Sequence, residues 1–335
     1  MSGAPRGVVR GARISALGVY VPERVVTNVE LSQSLDTSDE WISSRTGIRE
    51  RRICAPEQAT SDLAVAAVGD LLTRSGHDPK AIDLVISTAL LPDMPFPATA
   101  STIAERIGAV NAGAFDVQSG CTGFVYGLAA AVAFVSGGLY RSVLVTGAEA
   151  LSKGLDWQDR STCVLFGDGA GAVLVEPSDN GVFFAFDLGN DGTGTPFLNM
   201  PAGGTRLPAS HATVDAREHF LRMNGREVYR FAVRRVVKSC QRALDDAGLT
   251  AADVDLFVPH QANLRIIEKV AAGLGFAERQ VFANLDRYGN TSCASIPLCL
   301  NEAMENGRLK KGDRLLLVGF GAGLTWGSCL TTWAL

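Results

Sequence analysis

Short apolar runs of four to six residues recur along this chain. Between them lie longer stretches in which apolar positions return every three or four residues. The first pattern reads as buried strands and the second as helices with one face turned inward. Residues 84–88, 142–146, 170–175, 256–258 and 314–318 are predicted strands on this basis. Residues 227–247 are predicted as an amphipathic helix with Val228, Phe231, Ala232, Val236, Cys240, Ala243, Leu244 and Ala247 inward. The segment 123–136 differs because it carries no charged residue at all. A helix apolar on every side belongs in the interior, and this one is too short to span a bilayer. Residues 189–217, rich in Gly, Pro, Asn and Thr, read as a loop region able to wall a pocket. Strands alternating with helices predict an α/β architecture.

The pattern also repeats. Gly76-His77-Asp78-Pro79-Lys80-Ala81-Ile82-Asp83-Leu84-Val85-Ile86 and Gly248-Leu249-Thr250-Ala251-Ala252-Asp253-Val254-Asp255-Leu256-Phe257-Val258 share one grammar, 172 positions apart. Each has a helix-ending glycine, a polar connection and an apolar-Asp-apolar strand start. Leu144-Val145-Thr146-Gly147 and Leu316-Leu317-Val318-Gly319 lie at the same shift. Two homologous halves are therefore predicted, 1–178 and 179–335. The shift carries the turn around Cys121 onto Asn290-Thr291-Ser292-Cys293, so a shared site between two helix starts is expected.

The chain of 335 residues is long enough for a substantial core. A net charge of −4 argues against nucleic acid as the main partner. Seven cysteines without a CxxC pair read as reduced and cytoplasmic. Residues 1–13 carry three arginines and no apolar stretch, so no signal peptide is expected.

Cys121 is the leading chemical candidate, in Ala114-Phe115-Asp116-Val117-Gln118-Ser119-Gly120-Cys121-Thr122-Gly123-Phe124. A thiol at a helix start is expected to lose its proton more readily, because first-turn N–H groups favour negative charge. Its small neighbours leave room for a substrate carbonyl. The remaining cysteines read as buried small hydrophobes. Of four histidines, His77, His211 and His219 fall in polar sequence and read as surface residues, whereas His260 ends a buried strand, where α/β sheets place sites. Asn290 alone would read as a turn residue; with His260 and Cys121 it suggests a Cys/His/Asn site. Neutral His and Asn donors aimed at one oxygen suit the enolate left when a malonyl thioester loses carbon dioxide. That carbanion equivalent would then attack an acyl group on Cys121. The segment Phe320-Gly321-Ala322-Gly323-Leu324-Thr325-Trp326-Gly327 offers backbone donors for an oxyanion hole, with the N–H groups of Cys121 and Ala322 as candidates.

With these residues in place, the chain resembles the β-ketoacyl-acyl-carrier-protein synthase III family of thiolase-like condensing enzymes. The match runs through residues 36–42 (Asp36-Thr37-Ser38-Asp39-Glu40-Trp41-Ile42), 45–51, 166–172, 259–265 and 289–292. The resemblance implies a five-layered αβαβα fold, a homodimer and a triad of Cys121, His260 and Asn290. It implies that Trp41 and Arg160 sandwich the CoA adenine, that Arg45 lies near its phosphates and that Asn263 holds the pantetheine arm. Phe96 would wall the acyl pocket, across the dimer. Acyl-CoA would be a substrate, with no cofactor, metal or membrane required. An acidic carrier protein would dock on a basic face, for which Arg230, Arg234, Lys238, Arg242 and Arg265 are candidates, the helix stripe having no matching acids in view.

Gln118-Ser119-Gly120, Cys293 and Ala272-Gly273 depart from the family's usual residues. The expected reaction is decarboxylating condensation of a short acyl-CoA with malonyl-acyl-carrier protein. The rival within the fold is a specialised synthase or acyltransferase with a different acceptor. A biosynthetic thiolase is disfavoured, since Cys329 follows Trp326-Gly327-Ser328 instead of the thiolase setting. A non-catalytic acyl-CoA-binding subunit is disfavoured by the retained triad.

Overall fold

The computed structural model describes residues 7–179 and 182–335; residues 1–6 of the arginine-bearing N-terminal segment lie outside them. Two five-stranded sheets organise the chain. The first runs Ala12–Tyr20, Gly169–Pro177, Val143–Glu149, Leu84–Thr88, Gly113–Val117. The second runs Val9–Arg10, Phe183–Asn190, Thr325–Thr332, Arg314–Gly321, Leu256–Pro259. In the first sheet Leu84–Thr88 pairs in parallel with Gly113–Val117 and Val143–Glu149, in the second Leu256–Pro259 pairs in parallel with Arg314–Gly321, and the other pairings are antiparallel.

Five layers result. Helices Thr60–Ser75 and Thr99–Arg106 cover the outer face of the first sheet through Leu63, Ala67, Val68 and Ile103. Gly225–Ala247 and Leu264–Leu274 cover the outer face of the second through Val236, Leu244, Ile266 and Val270. Between the sheets lie Gly123–Ser136 and Ser295–Glu305, whose Phe124, Leu128, Val132, Ile296 and Leu300 belong to one continuous core with both sheets. The absence of charge from Gly123–Ser136 now has its cause: apolar strand surface faces it from above and below. The fold is α/β, an αβαβα stack of two pseudo-repeated halves.

The 172-residue shift is visible element by element. Leu84–Thr88 matches Leu256–Pro259, Gly123–Ser136 matches Ser295–Glu305, and the turn Gly120–Thr122 matches Ser292–Ala294. The fifth strand of the first sheet, Gly113–Val117, has only a single bridge, Phe257 to Val281, as its counterpart. The region 189–217 contains more order than a loop: the strand Phe183–Asn190 runs into it, followed by a 3-10 turn Gly192–Phe197, a short strand Leu198–Asn199 and the helix His211–Asp215.

Candidate active site

Cys121 stands in the 3-10 turn immediately before Gly123–Ser136. Gly120 has a φ of +58°, and a Cβ there would lie 2.9 Å from the Ala322 nitrogen. Only glycine therefore lets this turn press against the opposing loop. A Cβ on Gly321 would fall 3.1 Å from the Cys121 Sγ. Its missing side chain keeps the space over the sulfur open.

His260 follows the strand Leu256–Pro259 and is 1% exposed. Its backbone N–H bonds the Val318 carbonyl at 2.7 Å, extending the strand pairing by one residue. Its Nδ1 lies 2.7 Å from the Ser295 Oγ, whose single proton has that nitrogen and the Ser292 carbonyl at 2.8 Å as its two acceptors; given to Nδ1, it leaves the proton of the neutral ring on Nε2. Phe320 meets the ring edge-on with centroids 5.2 Å apart. Nε2 is the nitrogen left for the cavity. Asn290 is held by its backbone, which bonds the Leu165 carbonyl and the Gly167 N–H of the first half. Its Oδ1 accepts the Ser292 N–H at 2.9 Å, which leaves Nδ2 as the free end. Cys121, His260 and Asn290 line one cavity of about 200 Å³, with apolar walls from Leu198, Met223, Val228 and Phe320.

The electrostatics of this cavity correct one expectation. Burial pushes the Cys121 thiol up to about 12, although its own N–H and the Ser292 hydroxyl favour the thiolate. The first-turn donors are outweighed because the sulfur has almost no contact with water. Burial also drives His260 down to about 3, so its ring is neutral at physiological pH. The resting site holds a neutral thiol and a neutral imidazole.

At the cavity mouth Asn263 caps Leu264–Leu274, accepting the Arg265 N–H and donating to the Arg45 carbonyl at 3.1 Å. It lines the cavity as well. The helix Asp39–Thr46 is thereby fastened to the rim, and Arg265 adds a bond to the Ser44 carbonyl. Trp41 carries two guanidinium groups, Arg45 at 4.5 Å and Arg160 at 5.3 Å from its centroid. Arg160 is also bound by Asp36. No base-sized slot lies open between indole and guanidinium; Arg160 would have to swing away to admit one.

Phe96 is 83% exposed and does not line the Cys121 cavity of its own chain; a wall across a dimer would belong to a partner's cavity. Two placements differ from expectation. Ala322 lies behind the Cys121 turn and lines a second cavity with Leu90, Gln118, Ser119 and Gly120, while Gly321 borders the first. The basic stripe on Gly225–Ala247 is not free of acids: Arg230 pairs with Glu227 at 2.9 Å and Arg242 with Asp187 at 3.5 Å. Arg234 and Lys238 are exposed without a recorded partner among the described residues. Sequence reasoning missed Ser292, Ser295 and the buried Glu149. The 172-residue shift does signal Ser292, which occupies the place of Gly120. Nothing local signals Glu149.

The αβαβα fold and a buried cysteine at its central helix define a thiolase-like condensing enzyme. Residues 115–192 match the 3-oxoacyl-[acyl-carrier-protein] synthase III family, and residues 244–333 match its C-terminal region. A β-ketoacyl-[acyl-carrier-protein] synthase III of Caldanaerobacter subterraneus subsp. tengcongensis is 50% identical over 324 residues, 96% of this chain and 98% of that relative. The crystal structure of the synthase III of Thermus thermophilus, 50% identical, superposes with a TM-score of 0.88 over 96% of this chain and 99% of that one. The 3-oxoacyl-(acyl carrier protein) synthase III of Pseudomonas aeruginosa PAO1 is 42% identical, with a TM-score of 0.90 over 97% and 99%. The chain belongs to the β-ketoacyl-acyl-carrier-protein synthase III family. It is a condensing acyltransferase of that type, the initiating enzyme of fatty acid synthesis.

Proposed function

We propose that a short acyl-CoA primer is captured on Cys121 and extended with malonyl-acyl-carrier protein, carbon dioxide leaving as the new carbon–carbon bond forms. The observation that carries this reading is the common cavity of Cys121, His260 and Asn290, with a neutral imidazole and a carboxamide as its free polar ends. In the first half-reaction the Cys121 sulfur attacks the thioester carbonyl and CoA thiolate leaves. In the second, malonyl decarboxylation leaves an enolate whose oxygen is held by His260 Nε2 and Asn290 Nδ2, and its carbon displaces the Cys121 sulfur from the acyl group. Two fixed donors suit this better than a charged group, since charge appears only in the transition state. The Cys121 N–H, with Ala322 or Gly321 beside it, would receive the oxyanion of the acylation step.

We assign Trp41, Arg45, Arg160 and Asn263 the adenine, phosphate and pantetheine contacts of a CoA or carrier arm, a reading supported by Asn263, which lines the cavity and donates to the Arg45 carbonyl. Arg234 and Lys238, with Arg230 and Arg265 nearer the mouth, are the proposed docking face for an acidic carrier protein. We assign the enzyme to the cytoplasm as a homodimer in which Phe96 completes the partner's acyl pocket. No cofactor takes part. No helix among the described residues is long and apolar enough to cross a membrane.

Intact-protein mass spectrometry after exposure to acyl-CoA tests the reading: one acyl adduct is expected, on Cys121, and carbon dioxide release is expected on adding malonyl-acyl-carrier protein. An adduct on another cysteine would reject the assignment. Ester or amide formation with a different acceptor would instead support a specialised acyltransferase.

A further inference from the structure

Arg51, on the strand Glu50–Ile53, is fully buried, and it is the one lysine or arginine buried among the described residues. No carboxylate among those residues lies within ion-pair distance of it. Burial draws the guanidinium down to about 10, so it is still charged at neutral pH. Apolar side chains of similar volume usually fill such a place at less cost, so the fork of donors is what this place uses. Nη1 donates to the Asn28 Oδ1 at 2.9 Å and to the Val26 carbonyl at 3.2 Å. Nη2 donates to the Val164 carbonyl at 2.7 Å, and Nε is buried without a partner.

These bonds lead in two directions. Asn28 opens the helical turn Asn28–Leu31 and is 1% exposed. Its Nδ2 donates to the Asp39 Oδ1 at 2.8 Å and to the Ile48 carbonyl at 2.7 Å, which ties the guanidinium to the helix Asp39–Thr46 at the rim. Val164 leads to Asn290. The carbonyl of the next residue, Leu165, accepts the Asn290 N–H at 2.8 Å, and the Gly167 N–H donates to the Asn290 carbonyl at 3.0 Å. Phe166 and Asn290 thus form an isolated parallel bridge between the halves. The Arg51 stem presses on the same join: a Cβ on Gly167 would fall 3.0 Å from the Arg51 Cβ, and one on Gly289 3.3 Å from it. The neighbouring Asp168 N–H bonds the Arg52 carbonyl at 2.8 Å, so segment 164–168 lies along the Arg51 strand.

We propose that Arg51 is a positioning residue for Asn290: its guanidinium fixes the segment 164–167, and that segment sets the carboxamide where the enolate oxygen forms. The inference rests on the role assigned to Asn290 under the proposed function. Arg51 itself touches no reacting atom. An oxygen that gains charge in the transition state needs its donors already in place, and a misplacement of about 1 Å costs about 100-fold in rate. None of the Arg51 bonds reaches the turn Gly120–Thr122 that carries Cys121, so capture of the acyl group has no need of them. A lysine would keep the charge, but its single nitrogen cannot hold Asn28 and Val164 through a rigid fork.

The two half-reactions separate positioning from bulk structure. Cys121 acylation by acyl-CoA is followed by intact-protein mass spectrometry, and carbon dioxide release from malonyl-acyl-carrier protein is then measured on the acylated enzyme. Wild type, Arg51→Lys, Arg51→Met, Asn28→Ala, Asn290→Ala and Arg51→Lys combined with Asn290→Ala are compared. A wild type that acylates and releases no carbon dioxide overturns the role of Asn290 and this inference with it. With the wild type active, Arg51→Lys and Arg51→Met should acylate at nearly the wild-type rate and release carbon dioxide about 100-fold more slowly. Adding Arg51→Lys to Asn290→Ala should then slow release no further, because both act through one carboxamide. Equal losses in the two half-reactions would make Arg51 a structural residue and overturn the proposal. Release at the wild-type rate in the Arg51 variants, or additive losses in the combined variant, would overturn it too. If neither Arg51 variant folds well enough to acylate, Asn28→Ala decides, since it removes one acceptor and leaves the guanidinium. Release should then fall while acylation holds, and any other result for Asn28→Ala overturns the proposal.

Discussion

Cys121 holds its proton at neutral pH. Because its thiol is raised to about 12 by burial, the thiolate fraction grows with every step in pH up to that value. Alkylation of Cys121 by iodoacetamide should therefore climb about tenfold per unit between pH 7 and 9 without a plateau. A plateau below pH 9, read by peptide mapping, would contradict the buried-thiol picture. Cys121→Ala should abolish the acyl adduct and leave the unfolding temperature nearly unchanged, since the lost sulfur is small. Glu149 gives a stability signature of its own. Its carboxyl titrates higher in the fold than in the unfolded chain, so folding favours the protonated form. Its contribution is thus best at low pH, falls as pH rises from about 4.5 to about 7, and is flat above. Glu149→Gln should gain stability relative to wild type at pH 8, on the order of 1–3 kcal/mol, and much less at pH 4. Denaturant melts at the two pH values measure this. That Cys121, His260 and Asn290 come together was legible in the sequence because each sits at the end of an apolar run. Glu149 was not, because an acid closing a strand looks like a solvated end until the other half covers it.

The matched turns govern the elements around them. Gly120→Ala forces a left-handed residue and a Cβ against the Ala322 nitrogen, so a loss of about 1–3 kcal/mol is expected. Ser292→Gly removes strain at the twin position, where φ is +48°, and should gain about 1 kcal/mol. Denaturant melts of the two variants check both. Helix Gly123–Ser136 was readable to the residue because an uncharged run between small-residue turns has only one place to go. The strand Phe183–Asn190 was read partly as loop because Gly189 and Asn190 resemble turn residues. Gly189 is there for another reason: a Cβ would lie 2.2 Å from the Trp326 ring. Cross-strand packing of that kind has no local signature.

At the scale of the whole molecule, the repeat predicts two α/β halves meeting at a shared site, while the order of the five layers is what the family resemblance implies. The placement of the rim was less legible. The resemblance implies that Arg160 is a CoA contact, and here it lies against Trp41 and Asp36. The docking face behaves similarly, because the Arg242 ion pair comes from Asp187 on a strand distant in sequence, while Glu227 meets Arg230 from one turn earlier on the same helix. Arg234→Glu and Lys238→Glu should therefore raise the KM for malonyl-acyl-carrier protein several-fold and leave self-acylation by acyl-CoA unchanged, with Arg230→Glu and Arg242→Glu affecting it less. Steady-state kinetics at low and moderate salt would check this, the difference shrinking as salt rises.

The seam between the halves has a practical corollary. Because Cys121 lies in the first half of the chain and His260 and Asn290 in the second, neither segment on its own contains all three groups of the cavity. Residues 1–178 and 179–335 made as separate chains should each be inert toward acyl-CoA, and adduct formation should appear only when the two are refolded together.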